Sequence, residues 1–210
     1  MIVREGSLLT IHELLTLIDV DGPNGSICQN ILNENYGLFS RVPGSSHNHQ
    51  AWPGGYLDHV TETMNWGRKL YQVAAASGRV LSFSLSDVLL VMFLHDIEKP
   101  WKYTLLPDGT LEIKEELRDK SAQKSFRNEK LKEYGMVLSP QQENAMRYVE
   151  GEIDGSHSTK HRAMGSLAAL CHAADIFSAR LFPDYPSVEN NPWDSARRCR
   201  SENRPSQNQM

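Results

Sequence analysis

Val88-Leu89-Leu90-Val91-Met92-Phe93-Leu94-His95-Asp96-Ile97-Glu98-Lys99-Pro100 runs from seven consecutive apolar side chains into an imidazole, two carboxylates and a lysine. Ser84 with Asp87 three residues later makes the capping-box pattern of a helix start. The apolar run then has helical length, and Pro100 disfavours helical geometry at Lys99. This reasoning places His95 and Asp96 in the last turn of a buried helix. Adjacent helical residues project about 100° apart, so one ion is gripped by both only if the side chains lean together and other ligands come from elsewhere. A metal site here therefore calls for partners distant in sequence. Without them the pair reads as a helix end capped by histidine.

Two such partners stand out. His59 lies in Trp52-Pro53-Gly54-Gly55-Tyr56-Leu57-Asp58-His59-Val60, near the start of a helix that the Gly-Gly pair lets approach another backbone. Asp175 lies in His172-Ala173-Ala174-Asp175-Ile176-Phe177, inside another apolar helix. The order His59, His95-Asp96, Asp175 on three helices resembles the HD superfamily of metal-dependent phosphohydrolases, over roughly residues 49–180. His95-Asp96-Ile97-Glu98-Lys99 is similar to that family's His-Asp-Ile-Gly-Lys, with Glu98 where a glycine is common. Gly54-Gly55-Tyr56-Leu57-Asp58-His59 resembles the Gly-Gly-Leu-Leu-Glu-His of a branch containing certain exoribonucleases.

The expected fold is all-α, an HD-domain helical bundle with a small β-hairpin insertion. Its expected metal ligands are His59, His95, Asp96 and Asp175. Two imidazoles and two carboxylates suit a divalent Mn, Fe, Co, Ni or Zn ion and leave positions for water and substrate. Such an ion activates water and polarises a phosphoryl oxygen, so phosphate-ester hydrolysis is the expected chemistry, and the resemblance implies the same.

Composition bounds the partners. A chain of 210 residues with 40% hydrophobic and 23% charged content is ordinary for a soluble globular domain, and a formal charge of −4 argues against coating nucleic acid. Cys28, Cys171 and Cys199 have neither zinc-knuckle nor disulfide spacing, which points to a reducing cytosol. No apolar run reaches the ~18 residues of a membrane span, and no export signal is expected. Residues 1–182 are expected to form the domain and 183–210, with four prolines among polar residues, a polar tail. A compact chain without accessory domains also fits a phage or mobile-element protein.

Along the chain, Thr10 with Glu13 opens a short helix stopped by Gly22-Pro23-Asn24-Gly25. Another short helix is expected around Ile27, Ile31 and Leu32. Leu57, Val60, Met64, Leu70 and Val73 predict a helix from about Tyr56 to Ala76 with His59 on its apolar side. Two β-prone arms around Pro107-Asp108-Gly109 predict a hairpin flap. The charged stretch from Lys114 to Tyr134 predicts an exposed helix, whole or broken, stopped by Gly135. Ser139-Pro140 with Gln142 starts a helix through Tyr148, and an apolar helix is expected from Met164 to about Leu181.

The remaining candidates carry paired readings. Asp96, Lys99 and Glu98 are the catalytic candidates: Glu98 orients or deprotonates water, or is simply solvated, and Lys99 neutralises a phosphate oxygen or holds Asp96. Arg180, Lys99 and Trp52 are the substrate-binding candidates, Trp52 by stacking on a base or else as a packed aromatic, as for Tyr103. Lys124, Arg127, Lys160 and Arg162 could meet phosphates but stand in polar contexts. His157 and His161 read as loop histidines without a partner, or else serve a second metal, although the segment from Tyr148 to His157 lacks the paired histidines of relatives that bind two. His47 and His49 could approach the metal's outer shell, and His172 reads as core. The leading function is hydrolysis of a phosphate ester or anhydride of a small nucleotide, a deoxynucleotide being one candidate. The alternatives are an exonuclease acting on single-stranded nucleic acid, which the acidic charge disfavours, and a non-catalytic metal- or nucleotide-binding module.

Overall fold

The computed structural model describes residues 8–19, 22–45, 48–106, 111–152 and 163–183. Among these the chain forms seven α-helices: α1 (Ile11–Leu15), α2 (Pro23–Phe39), α3 (Gly55–Ala76), α4 (Leu85–Leu94), α5 (Lys120–Glu133), α6 (Pro140–Tyr148) and α7 (Ser166–Ile176). Between α4 and α5 lies one antiparallel pair, β1 (Tyr103–Leu105) and β2 (Leu111–Ile113), with Tyr103 opposite Ile113. The architecture is all-α with a small hairpin. The hairpin's turn at 107–110 and most of the 183–210 tail lie outside the described residues.

Four of the helix starts follow from local chemistry. Thr10 with Glu13, Ser84 with Asp87 and Ser139 with Gln142 each close a capping box in both directions, and Asp119 caps α5 by accepting from the Ala122 amide. At Gly22-Pro23, where a stop is expected, the chain begins a longer helix than the apolar spacing suggests. Pro23 occupies the first turn of the 17-residue α2, where its missing N–H costs nothing.

Helix α4 is apolar on every side, and Val88 to Leu94 are all buried, so it lies in the middle of the core with α3, α6 and α7 against it. Helices α3 and α4 approach closely at Gly67, where an added Cβ would meet Val88 Cγ1 at 2.8 Å. The apolar stripe of α3 ends sooner than its spacing predicts, because Val73 is 71% exposed. No helix of the described residues is long and apolar enough to cross a membrane.

Two local expectations need correction. Helix α4 ends at Leu94, so His95 is its C-cap and Asp96 follows the helix. Lys99 then does adopt helical geometry, in a short 3-10 turn (Lys99–Lys102) that tolerates Pro100 in its first turn. The charged α5 is not wholly exposed either: Arg127 and Leu131 are buried on its inner face.

Candidate metal centre

Helix α3 begins with a tight approach. Gly54 sits in the left-handed region (φ 84°), and a Cβ on Gly55 would fall 1.8 Å from the Gln50 carbonyl oxygen. The entry loop thus lies against the first turn, and His59, one turn in, faces the core with no exposure. The α4 C-cap brings His95 alongside, and the turn after it brings Asp96. Helix α7 supplies Asp175 in its last turn.

The four expected ligands converge. The Nε2 atoms of His59 and His95 are 3.3 Å apart. Asp96 Oδ2 lies 3.4 Å from the first and 3.2 Å from the second, and Asp175 Oδ1 lies 3.3 and 3.8 Å from them. His59, His95 and Asp96 are buried, whereas the Asp175 side chain is 20% exposed and marks the open side.

The imidazoles are held with their lone pairs facing inward. Nδ1 of His95 donates to the Met92 carbonyl at 2.7 Å. Nδ1 of His59 meets the Ser178 hydroxyl at 3.1 Å, and that hydroxyl donates to Glu62 Oε2 at 2.8 Å, so His59 is the donor. With both rings neutral, the two Nε2 lone pairs and the Asp96 carboxylate face one spot that a cation can fill, with Asp175 at its edge. Ligands bound at ~2.0–2.2 Å around one ion stand roughly 3.0–3.5 Å apart, which is the spacing among His59, His95 and Asp96, while Asp175 lies 3.8 Å from His95. The donor set fits a divalent metal, and His59, His95 and Asp96 are a buried group able to hold one.

Charge follows the same geometry. Burial opposes the charged form of His95, but the Asp96 and Asp175 carboxylates outweigh it and raise His95 to about 9. Burial likewise opposes ionisation of Asp96, yet Lys99 and His95 hold it well below the usual carboxylate range. Asp175 is lowered too, the neighbouring imidazoles of His59 and His95 overcoming its burial. Lys99 Nζ lies 2.5 Å from Asp96 Oδ2, so of its two expected roles the structure displays the holding of Asp96.

The supporting layer was hidden from sequence reasoning. Glu62 is one turn after His59 and Ser178 one turn after Asp175, in a π-helical turn (Phe177–Leu181), so the two helices present matching rows. Glu62 also accepts from Gln50 Nε2 at 2.9 Å, and burial lifts its carboxyl to about 9. The Gln50 amide N–H donates to the Pro183 carbonyl at 2.7 Å, which ties the end of this segment to the entry loop. His49 packs its ring 4.6 Å from that of His59 and donates from Nδ1 to Gln50 Oε1. Burial, with His59 and Lys99 nearby, lowers it to about 4. An i, i+3 spacing from a ligand on an apolar helix is the signal that could have found Glu62 and Ser178.

Other candidates are placed apart. The Glu98 carboxylate is buried and lies 3.7 Å from Arg127, facing α5, and burial raises it to about 7. Half-buried Trp52 donates its indole N–H to Asp58 at 2.7 Å, and Arg180 is exposed on the π-helical turn whose Ser178 points inward. His172 bonds the Val149 carbonyl. Arg127, expected to be solvated, is instead buried. His47, His157, Lys160, His161 and Arg162 lie outside the described residues. The thiols of Cys28 and Cys171 are buried and pushed up by desolvation, which suits packing rather than nucleophilic chemistry. No protein-family model, no curated protein and no solved structure matches the chain.

Proposed function

We propose that the protein is a metal-dependent phosphohydrolase of the HD type acting on a small nucleotide. The observation that carries this reading is the convergence of two inward-facing imidazole lone pairs and two carboxylates at 3.2–3.8 Å. When bound, a divalent ion supplies Lewis-acid activation of water and of a phosphoryl oxygen. His59, His95, Asp96 and Asp175 hold it, and Asp175 stands on the side where substrate enters. Lys99, 23% exposed at the same opening, neutralises a phosphoryl oxygen while keeping Asp96 ionised. Ser178 and Glu62 fix the tautomer of His59. Glu98 positions Arg127 and the main chain at His95 rather than touching substrate. His49 lines the centre as a neutral imidazole able to contact the leaving group.

The test is phosphate release from a panel of nucleotides and deoxynucleotides, and shortening of oligonucleotides, by protein loaded in turn with Mn, Fe, Co, Ni or Zn. Mononucleotide turnover that is lost in Asp175→Asn, with the fold intact, is expected. Oligonucleotide shortening alone would make the protein an exonuclease. One tightly held metal without turnover would make it a binding module. Full metal retention in a His95→Ala, Asp96→Ala double variant would remove the centre itself.

A further inference from the structure

Helices α5 and α6, with the loop that joins them, line an open cavity of about 790 Å³ that includes Arg127, the partner of the His95 carbonyl. Its floor is apolar, formed by Leu131, Met136, Leu138 and Met146. Lys124, Lys132 and Arg147 stand at its exposed rim, with Glu143 the single carboxylate among them. A narrow extension shares Lys124, Arg127 and Arg147 with the main cavity and ends at Glu98, beside Lys120 and Glu150, which pair with each other at 2.9 Å.

Arg127 is the residue that makes this more than a surface groove. It is buried, yet it lines both spaces. A guanidinium has five N–H donors in a fixed fork. Here Nη1 donates to the His95 carbonyl and lies 3.7 Å from Glu98. Among the described residues the rest of the fork has no acceptor, and it fronts the cavity. A cationic fork at depth, cations at the rim and an apolar floor suit a ligand with a phosphate at one end and an apolar or aromatic body at the other. The volume lies within the range of small-molecule sites.

We infer that the α5–α6 cavity binds a phosphorylated small molecule of nucleotide size, with its phosphates on Arg127, Lys124 and Lys132 and its apolar body on Leu131 and Met146. The site is separate from the metal centre and does not rest on the phosphohydrolase reading. It touches that centre through one residue, because Arg127 also holds the main chain of His95.

Calorimetric titration of the full-length protein in excess EDTA tests the inference, with inorganic pyrophosphate, ATP and GTP as probes. Chelation removes any anion site that depends on a metal, so binding at the centre and binding in the cavity separate. Micromolar binding of ATP or GTP, with pyrophosphate weaker, is expected. Exposed Lys124 and Lys132 can be reversed without disturbing the core, so a Lys124→Glu, Lys132→Glu variant should keep its melting temperature and lose at least about tenfold in affinity. Absence of binding in EDTA, or affinity unchanged in that variant, would overturn the assignment. So would equal binding of pyrophosphate and nucleotides, since the apolar floor would then contribute nothing.

Discussion

The hydroxyl of Ser178 stands 3.1 Å from Nδ1 of His59 and donates its own hydrogen bond to Glu62, so a small side chain on a π-helical turn sets which nitrogen of His59 is free. Outer partners of metal-binding imidazoles typically contribute about 10–100-fold in affinity. Ser178→Ala should therefore weaken metal binding by that order with little change in melting temperature. Metal titration with a competing chelator measures it. Unchanged affinity would show that His59 needs no such partner.

Metal affinity should depend on pH through His95. The raised value, about 9, means that metal-free protein holds a proton on this imidazole at neutral pH, and the metal must displace it. Apparent affinity is expected to rise about tenfold per pH unit toward pH 9 and then flatten. In calorimetry the observed heat should vary with buffer ionisation enthalpy, reporting about one proton released. A pH-independent affinity between 6 and 8 would contradict this order of protonation.

Glu62 makes a separate, opposite demand on stability. Its folded value, about 9, lies above its unfolded one. The group's contribution is thus fully present below about pH 4.5 and lost as pH rises toward 9, on the order of a few kcal/mol. Glu62→Gln keeps an acceptor for Ser178 and Gln50 without a titrating proton. Melting curves of metal-free protein from pH 5 to 9 should decline more steeply for the wild type than for this variant. Parallel curves would show that Glu62 is ionised at neutral pH.

Lys99 and a divalent ion compete for Asp96. Removing the ammonium in Lys99→Met should tighten metal binding by at least about tenfold and, on the proposed phosphohydrolase reading, lower turnover, because a phosphoryl oxygen would lose its partner. Both changes in one variant separate an electrostatic role from a folding one. Looser metal binding would mean that Lys99 orients Asp96 rather than competing for it.

The segment after α7 bears on the same centre. Phe182 stacks on Trp66, with ring centroids 5.6 Å apart and planes 7° apart, and the carbonyls of Phe182 and Pro183 accept from Gln50. Truncation after Pro183 should leave the melting temperature unchanged. Ending the chain at Leu181 should cost about 1–3 kcal/mol and loosen the metal. Equal stability of the two truncations would show that this stack and these bonds contribute little.

What is legible in the sequence is what depends on near neighbours. Ser84 with Asp87 and Ser139 with Gln142 set helix starts to the residue, because a hydroxyl and a main-chain amide three positions on decide them locally. His59, His95, Asp96 and Asp175 stand out because charged or polar groups on apolar helices need a reason to be there. Gln50, Glu62 and Ser178 are harder to find, since their side-chain partners are up to 132 positions away. Arg127 is concealed differently: it belongs to a run of lysines and glutamates, and its burial depends on a carbonyl and a carboxylate contributed by the segment after α4.

Gln50 carries a consequence in time. Its side chain bonds Glu62, Ser178 and the Phe182 carbonyl, so the start of α3 and the distant segment after α7 meet at one carboxamide. A ribosome delivers them in order, and the last comes 132 residues after Gln50 itself. Until then His59 has no Ser178 to orient it, and the pair His95-Asp96 lacks Asp175. The centre therefore closes only once α7 and the turn after it have been made, and until then the loop and α3 wait for a strut that has not yet emerged.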